Sequence, residues 1–148
     1  DNSANMLDRA QAVIKKKLRD KVTFLHADID QITQANTQSK HFELIVLNMV
    51  LHHMASPATL FASARKLLAP GGCLLIVDLC PHDQDWARNT CGDLWLGFEP
   101  SDLDAWAQDV NLTRGQGIYL GLKNGFQIQA RLFHQPTTPV TLNNSEAI

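Results

Sequence analysis

Glycine is absent from the first 70 residues of this 148-residue chain, because Gly71 is the earliest of its eight glycines. A glycine-rich loop allows a backbone to approach a cofactor closely, so no such loop lies before Gly71. Cysteine is also scarce. Cys73, Cys80 and Cys91 are odd in number and lack CxxC spacing, which argues against a disulfide framework and against a zinc site. This cysteine usage favours a reducing cytoplasm.

The chain has no strong excess of charge. A formal net charge of -2 gives no electrostatic reason to expect nucleic-acid or membrane-surface binding. The basic run KKKLR at residues 15–19 follows a helical pattern and is better explained as a solvated helix face than as a phosphate contact. No apolar stretch approaches the roughly 18 residues of a membrane span. We therefore expect this domain to bind neither nucleic acid nor a membrane.

The apolar pattern predicts alternating helices and strands in one domain with a real core. The spacing predicts a helix from Ala4 to about Arg19 with Ser3 as its N-cap, and strands at Val22–His26 and Phe42–Leu47. A helix with Ser56 as cap and Pro57 at its first position should end at the Pro-Gly-Gly of residues 70–72. Strand Cys73–Leu79 follows, so the order strand, helix, strand predicts a parallel crossover and an α/β fold.

The last third predicts a different arrangement. A helix is expected at about residues 82–90, and a second helix at 102–110 with Ser101 as its cap. Two strands, Thr113–Leu120 and Phe126–Phe133, flank Asn124-Gly125, which is a strong signal for a tight hairpin turn. We expect one domain over residues 1–134 and a frayed tail over residues 135–148, where few apolar residues occur.

Polar residues at the carboxyl ends of parallel strands are the first candidates for a ligand site. Asp1, Asp28, Asn48 and the segment from Asp78 to His82 occupy such positions. A carboxylate there can accept hydrogen bonds from both ribose hydroxyls or from an adenine amine. Asp is also favoured at helix N-termini, so capping explains Asp1 and Asp28 equally well from the residues alone.

Five short motifs in order give the chain a family resemblance: "DNSANML", "FLHAD", "NMVLHHMASPATLFASARKLLAPGGCLLIVDL", "PHDQDWARNTCGDLWLGFEPSDL" and "NGFQIQARLF". Together they resemble class I S-adenosylmethionine-dependent methyltransferases, especially the UbiE-like branch. The later motifs look like the methyltransferase half of bacterial proteins in which an ArsR-type winged-helix repressor is fused ahead of a methyltransferase domain. The resemblance runs from Asp1 to about Phe133.

The resemblance implies a set of cofactor-binding residues for S-adenosylmethionine. It places Asp1 on the ribose hydroxyls with Asn2 beside it. It places Asp28 on the adenine amine and Ile29 against the ring face, and Asn48 near the sulfonium. The family's glycine-rich loop is missing from this chain, so we expect weak or absent cofactor affinity.

The resemblance also implies an incomplete fold. The family's strand order is 3-2-1-4-5-7-6, so a partial Rossmann-like sheet is expected, with parallel strands, a C-terminal antiparallel hairpin and no counterpart of the first two strands. The open edges would favour a dimer or strand exchange. We therefore expect the chain to be part of a longer protein, with strand Val22–His26 pairing with Phe42–Leu47 or with a second molecule.

His52 and His53 are the candidates for a general base, since an imidazole can accept a proton from an oxygen or nitrogen acceptor. Adjacent histidines do not share a face of a helix or strand, so one of them is expected to pack the loop. A metal site with His82 is less supported, because no carboxylate or cysteine joins these histidines at ligand spacing, and no metal is expected. Several aromatic residues can line an acceptor pocket or form a core or dimer surface: Trp86, Trp95, Phe98, Trp106 and Tyr119.

Three functions remain open from the sequence. The first is a methyltransferase acting on an unidentified acceptor. The second is a transcriptional regulator's domain that senses the cofactor or a ligand without catalysis, with DNA bound by an upstream winged-helix domain. The third is a nicotinamide-dependent dehydrogenase, whose strand-end acid also binds a ribose. The final hairpin and the "LHH" segment argue against the third.

Overall fold

A computed structural model describes residues 1–35 and 41–137 of the chain. The chain divides into two compact units between residues 38 and 39, and each unit is described by itself. None of the helices in these residues is long and apolar enough to cross a membrane.

The first unit contains two α-helices, α1 at Ala4–Val13 and α2 at Ile29–Ala35, with a 3-10 helix at Lys16–Lys21 between them. Ser3 is the N-cap of α1 as predicted, and its hydroxyl accepts a hydrogen bond from the Met6 amide at 3.4 Å. The predicted continuation to Arg19 is wrong. Ile14 has an extended backbone with ψ 129°, which ends the helix without a glycine or proline to signal it.

The predicted strand at Val22–His26 is also wrong. This segment has no regular secondary structure, and its partner in the first unit is the start of the chain. The α-amino group of Asp1 donates to the Leu25 carbonyl at 3.3 Å, and the Ala27 amide donates to the Asp1 carbonyl at 3.1 Å. A β-strand requires a continuous ladder of backbone hydrogen bonds to a neighbouring strand, and these two hydrogen bonds do not form such a ladder.

The second unit is built on a four-stranded sheet that confirms the predicted fold class. Its strands lie in the order β1-β2-β4-β3, with β1 and β2 parallel and the other neighbours antiparallel. This order matches the 4-5-7-6 part of the sheet implied by the family resemblance. Their bounds are Phe42–Asn48 for β1, Leu68–Leu79 for β2, Thr113–Gly121 for β3 and Gln127–His134 for β4.

Helix α3, at Pro57–Leu67, connects β1 to β2 and supplies much of the core. Leu60, Phe61, Ala64 and Leu67 are buried, and the Phe61 ring meets the Phe133 ring edge-on at 5.7 Å between centroids. Pro57 occupies the first turn as predicted, but the Ser56 side chain makes no capping hydrogen bond.

Two later helices begin at other residues than predicted. Helix α4 covers only Trp86–Cys91. Helix α5, at Pro100–Asp109, has Glu99 rather than Ser101 as its N-cap, and the Asp102 carboxylate accepts a hydrogen bond from the Glu99 amide at 3.3 Å. Pro100 fixes the start because proline is favoured in the first turn, where its missing N–H is not needed.

Strand β2 starts earlier than predicted and includes the Pro-Gly-Gly segment that was expected to separate helix from strand. Phe42 pairs with Leu68, and Leu44 already pairs with Cys73, so the intervening residues of β2 form an irregularity in the ladder. A side chain at Gly72 would lie 2.9 Å from two backbone oxygens. Glycine is therefore needed there for close approach of the backbone.

Gln135, the first residue of the predicted tail, is buried and bound to β2. Its amide donates to the Gly72 carbonyl at 2.8 Å, and its side-chain amide donates to the Leu68 carbonyl at 3.1 Å. The tail predicted over residues 135–148 stays a prediction, since residues 138–148 lie outside the described part of the chain.

The hairpin between β3 and β4 confirms the turn predicted at Asn124-Gly125. The Leu122 amide donates to the Phe126 carbonyl at 2.7 Å, and Gly125 has a positive φ of 88°. We expect Gly125→Ala to lower the free energy of unfolding by about 1–2 kcal/mol, because an L-residue is strained at positive φ. Urea denaturation tests this.

Gly121→Ala is the matched control for Gly125→Ala, since a Cβ at either position meets no atom within 4 Å and only Gly125 has a positive φ. The control should change stability by less than about 0.5 kcal/mol. Equal losses in the two variants would contradict the backbone explanation.

The outer edge of the sheet is apolar. Phe42, Leu44 and Val46 of β1 are about half-exposed, at 46%, 53% and 49%. β1 has one strand neighbour among the described residues. The predicted dimer or strand exchange at this edge stays a prediction.

Candidate functional site

The carboxyl ends of β1 and β2 bring together residues that are far apart in the sequence. Asn48 is the last residue of β1 and pairs with Val77 of β2. The next residue, Met49, has a positive φ of 55°, and its amide donates to the Val77 carbonyl at 2.8 Å. After this turn the chain forms the 3-10 helix Leu51–His53, which lies against Asp78 near the carboxyl end of β2.

Asp78 of β2 is fully buried and organises this turn. Its carboxylate accepts hydrogen bonds from the Leu51 amide at 2.9 Å and the Leu79 amide at 2.8 Å. It also lies 2.7 Å from Nδ1 of His52. A buried carboxylate is costly unless it is fully hydrogen-bonded, and three donors meet that need here.

His52 is 4% exposed, and Asp78 fixes the orientation of its ring. Because a carboxylate only accepts, Nδ1 carries the proton, and in the neutral ring Nε2 keeps a free lone pair. Burial lowers the pKa of His52, but the hydrogen bond to Asp78 and the negative charges of Asp78 and Asp93 outweigh burial and raise it above its ordinary value. The arrangement therefore favours proton uptake at Nε2.

The segment after α4 packs against this turn. The His52 carbonyl accepts from the amides of Leu94 at 2.8 Å and Trp95 at 3.1 Å, and the Trp95 indole donates to the Met54 carbonyl at 2.8 Å. Gly97, with φ 83°, allows the segment to pass Cys80, because a Cβ there would lie 2.1 Å from the Cys80 carbonyl oxygen. These contacts hold the segment beside the two histidines.

Asp93 on this segment is a member of the site that the sequence reasoning missed. It is 5% exposed, and its Oδ1 lies 3.9 Å from Nε2 of His52 and 3.7 Å from Nδ1 of His53. The expectation that no carboxylate joins the histidines is therefore wrong. That expectation used the spacing of residues along the sequence, whereas the packing of a loop places Asp93 beside the two histidines. His82 is not part of this group.

The aromatic residues divide between the two predicted roles. Phe98 is 2% exposed and belongs to the core, where its ring is tilted against Trp95 and edge-on to Trp106, with centroids 5.7 and 5.6 Å away. Trp86 and Tyr119 are about half-exposed, at 49% and 50%. Trp95 is 38% exposed, and its amide donates to the His52 carbonyl.

The first unit brings Asp1 and Asn2 together with the segment that leads to Asp28. The His26 ring lies 3.1 Å from the Asn2 carbonyl. Asp1 accepts from the Ser3 amide in a local turn just ahead of α1, and Asp28 accepts from the Gln31 amide at the start of α2, both at 2.8 Å. Each of these contacts uses Oδ1, and each carboxylate has a second oxygen.

Helix α2 begins at Ile29, directly after Asp28, and the Gln31 side chain accepts a hydrogen bond from the Asp28 amide at 3.0 Å. Asp28 and Gln31 thus form a reciprocal cap of this helix. Asn48, the remaining predicted cofactor residue, lies in the second unit.

The comparisons with known proteins identify the class. A family model described as a methyltransferase domain matches residues 1–114, and this chain belongs to that family. The chain has the α/β fold of class I S-adenosylmethionine-dependent methyltransferases. An ArsR fusion and the UbiE-like branch, both suggested by motif resemblance, are not shown by these matches.

Three similar proteins illustrate the match. The hybrid PKS-NRPS synthetase thnA of Trichoderma harzianum is 32% identical over 104 residues, covering 68% of this chain and 2% of the synthetase. N-methyltransferase NodS of Bradyrhizobium japonicum, in complex with S-adenosylhomocysteine, has a TM-score of 0.63 at 20% identity, covering 92% of this chain and 64% of NodS. CurJ carbon methyltransferase has a TM-score of 0.68 at 19% identity, and the match covers 92% of this chain and 40% of the CurJ chain.

The chain spans only a small part of the curated relatives it matches, from 2 to 4% of their length. The structural likenesses are below 25% identity and show the fold.

Proposed function

We propose that the protein transfers a methyl group from S-adenosylmethionine to an acceptor that loses a proton, with His52 as the general base. The observation that carries this proposal is the buried His52–Asp78 pair at the carboxyl ends of β1 and β2, where ligands of α/β sheets bind. Membership of the methyltransferase family supports the reaction class.

The cofactor residues of this proposal have suitable chemistry. The free carboxylate oxygens of Asp1 and Asp28 can accept from ribose hydroxyls and from the adenine amine, and Ile29 offers an apolar contact for the ring. The family resemblance assigns Asn2 to the ribose and Asn48 to the sulfonium end. When bound, the cofactor supplies the methyl group: the carbon–sulfur bond breaks, its electron pair stays on sulfur, and the methyl carbon bonds to the acceptor nucleophile.

His52 has the geometry that the other half of the reaction requires. Nδ1 is held by Asp78, so Nε2 is the atom that can take the acceptor's proton. Asp78 stabilises the imidazolium that results and acts as a positioning residue. The amides of Leu94 and Trp95 bind the His52 carbonyl, and the Trp95 indole binds the Met54 carbonyl, so this segment covers the turn that carries His52 and helps to exclude water.

A general base is useful only for an acceptor that loses a proton, which limits the classes of acceptor. An amine, a hydroxyl or an acidic carbon loses a proton when it is methylated, and a base is useful for each. Two proteins of similar structure are an N-methyltransferase, NodS, and a carbon methyltransferase, CurJ. Since a curated relative is a polyketide and peptide synthetase, an acyl thioester with an acidic carbon belongs among the substrates to be tried.

The role of Asp28 can be tested separately from its capping role. Asn caps helices as well as Asp does, but its side-chain amide cannot offer a second acceptor to the adenine amine. We expect Asp28→Asn to weaken S-adenosylhomocysteine binding by the full-length gene product about tenfold, which is the effect of one hydrogen bond to a charged group. Calorimetry measures the affinity, and thermal unfolding checks that stability is unchanged.

Asp8→Asn in α1 is the control and should leave the affinity unchanged. If Asp28→Asn lowers stability and leaves affinity intact, Asp28 serves as a cap and the assignment to adenine is wrong.

Catalysis is tested with the full-length gene product, S-adenosylmethionine and three acceptors: an aliphatic amine, a phenol and a β-keto thioester. Release of S-adenosylhomocysteine with one of them supports an enzyme. Tight cofactor binding with no release on any acceptor contradicts the proposal and favours a sensing domain.

A further inference from the structure

The group formed by His52, His53 and Asp93 has a feature that methyl transfer does not explain. Three potential ligand atoms, Nε2 of His52, Nδ1 of His53 and Oδ1 of Asp93, lie within 4.8 Å of one another. Oδ1 of Asp93 is buried and has no hydrogen-bond partner among the described residues. An unpaired buried carboxylate oxygen is costly, so its persistence suggests a missing partner.

Neither histidine supplies that partner as a simple hydrogen bond. The distances from Oδ1 to the two ring nitrogens are 3.9 and 3.7 Å, beyond the range of an N–H···O bond. Both nitrogens nevertheless lie within 4 Å of the same carboxylate oxygen. A cation placed among them would contact all three at once.

The contact between His52 and Asp78 strengthens this interpretation. A histidine that binds a metal through one nitrogen usually donates its other N–H to a carboxylate, which fixes the tautomer and makes the ligand more basic. Asp78 makes that contact with Nδ1 of His52 at 2.7 Å and leaves Nε2 facing Asp93. The outer ligand sphere of a metal site is thus already present.

We propose that Nε2 of His52, Nδ1 of His53 and Oδ1 of Asp93 form a site for a divalent transition-metal ion of the zinc type, with a fourth position open to water or another ligand. Two imidazoles and one carboxylate are a ligand set of three-ligand zinc sites, whereas magnesium and calcium prefer oxygen ligands. Ligands about 2.1 Å from a tetrahedral zinc ion lie about 3.4 Å apart. The two distances from Oδ1 of Asp93, 3.9 and 3.7 Å, exceed that separation by about half an ångström or less, and all three ligand atoms lie within 4.8 Å of one another.

His53 must present a lone pair at Nδ1 for this site. Nδ1 of His53 is 3.4 Å from the Gly92 carbonyl, which is the outer limit of a hydrogen bond. Only this weak hydrogen bond is lost when the proton moves from Nδ1 to Nε2. His53 is exposed, and a proton on Nε2 can be solvated. The site is also open on this side for entry of the ion.

Metal binding has a consequence that rests on the proposed function. Nε2 of His52 cannot hold a metal ion and accept a proton at the same time. Zinc bound here should therefore inhibit methyl transfer, and a chelator should restore it. The metal site itself does not depend on the reaction, since its ligands are judged by geometry alone.

The test uses cobalt(II) as a spectroscopic probe for the full-length gene product, freed of metal by a chelator. We expect the visible absorption of a four-coordinate cobalt site at one equivalent, and its loss when zinc is added. Asp93→Asn and His53→Gln should each weaken cobalt binding by at least about tenfold. His41→Gln, an exposed histidine just before β1, is the matched control and should bind like the unmodified protein.

The two substitutions are chosen so that a loss of cobalt binding cannot be explained by misfolding. Oδ1 of Asp93 has no partner to lose and His53 is exposed, so both variants should keep the circular dichroism spectrum. Absence of cobalt binding in the unmodified protein, or equal binding in all variants, would overturn the site. If the unmodified protein binds cobalt but, freed of metal, transfers no methyl group to any of the three acceptors, the proposed function is wrong and the metal site stands.

Discussion

Replacing Asp78 with alanine should lower the free energy of unfolding by about 3–5 kcal/mol, the usual cost of removing one member of a buried, hydrogen-bonded charge pair. The carboxylate is fully buried and accepts from the amides of Leu51 and Leu79 and from the ring of His52. Alanine would leave all three donors buried without an acceptor.

Urea unfolding with a chelator present measures this effect without any contribution from metal. Asp78→Asn keeps the size of the side chain but turns one acceptor into a donor, so its loss should be smaller, about 1–3 kcal/mol. The exposed Asp83→Asn should change stability by less than about 0.5 kcal/mol. A loss in Asp78→Ala no larger than that of Asp83→Asn would mean that Asp78 does not organise the turn.

Replacing His52 with asparagine should slow methyl transfer by about 10²–10⁴-fold, the usual contribution of a general base. The asparagine amide can occupy the place of Nδ1–H and still donate to Asp78, while the atom proposed to take the proton is removed. The variant therefore separates the catalytic role of the ring from its structural role. The release of S-adenosylhomocysteine at saturating acceptor gives the rate.

His41→Gln is the control for this substitution and should keep the full rate. If His52→Asn folds normally and also keeps the full rate, the pair of His52 and Asp78 has a structural role alone, and the proposed base is wrong.

Much of the second unit could be predicted from the sequence because its signals are local. Continuous apolar runs predict β1 and most of β2. Asn124-Gly125 predicts the hairpin turn before β4, since few residues tolerate the backbone angles of such a turn. The order of the strands came from the family resemblance and matches the sheet.

The errors in the first unit have a different cause. Val22–His26 has the composition of a strand, but composition does not supply a neighbouring strand. The helix predicted to run to Arg19 ends at Val13, at a point where no glycine or proline marks a boundary. Both depend on tertiary contacts that periodicity does not contain.

The candidate site was only partly accessible to sequence reasoning. The sequence indicates His52 and His53 as a pair of candidate bases, and Asp78 as a polar residue near the end of an apolar strand. A charge within the run CLLIVDL is a signal, since a buried acid requires partners. Asp93 gave no signal, because it lies in a polar loop and reaches the histidines only through the packing of residues 92–98.

Calorimetric titration of the full-length gene product with S-adenosylhomocysteine, and separately with oxidised nicotinamide dinucleotide, tests the central claim most directly. We predict saturable micromolar binding of S-adenosylhomocysteine, one per chain, and no heat from the dinucleotide. Binding of the dinucleotide without binding of S-adenosylhomocysteine would contradict a methyltransferase and favour a dehydrogenase on a related α/β sheet.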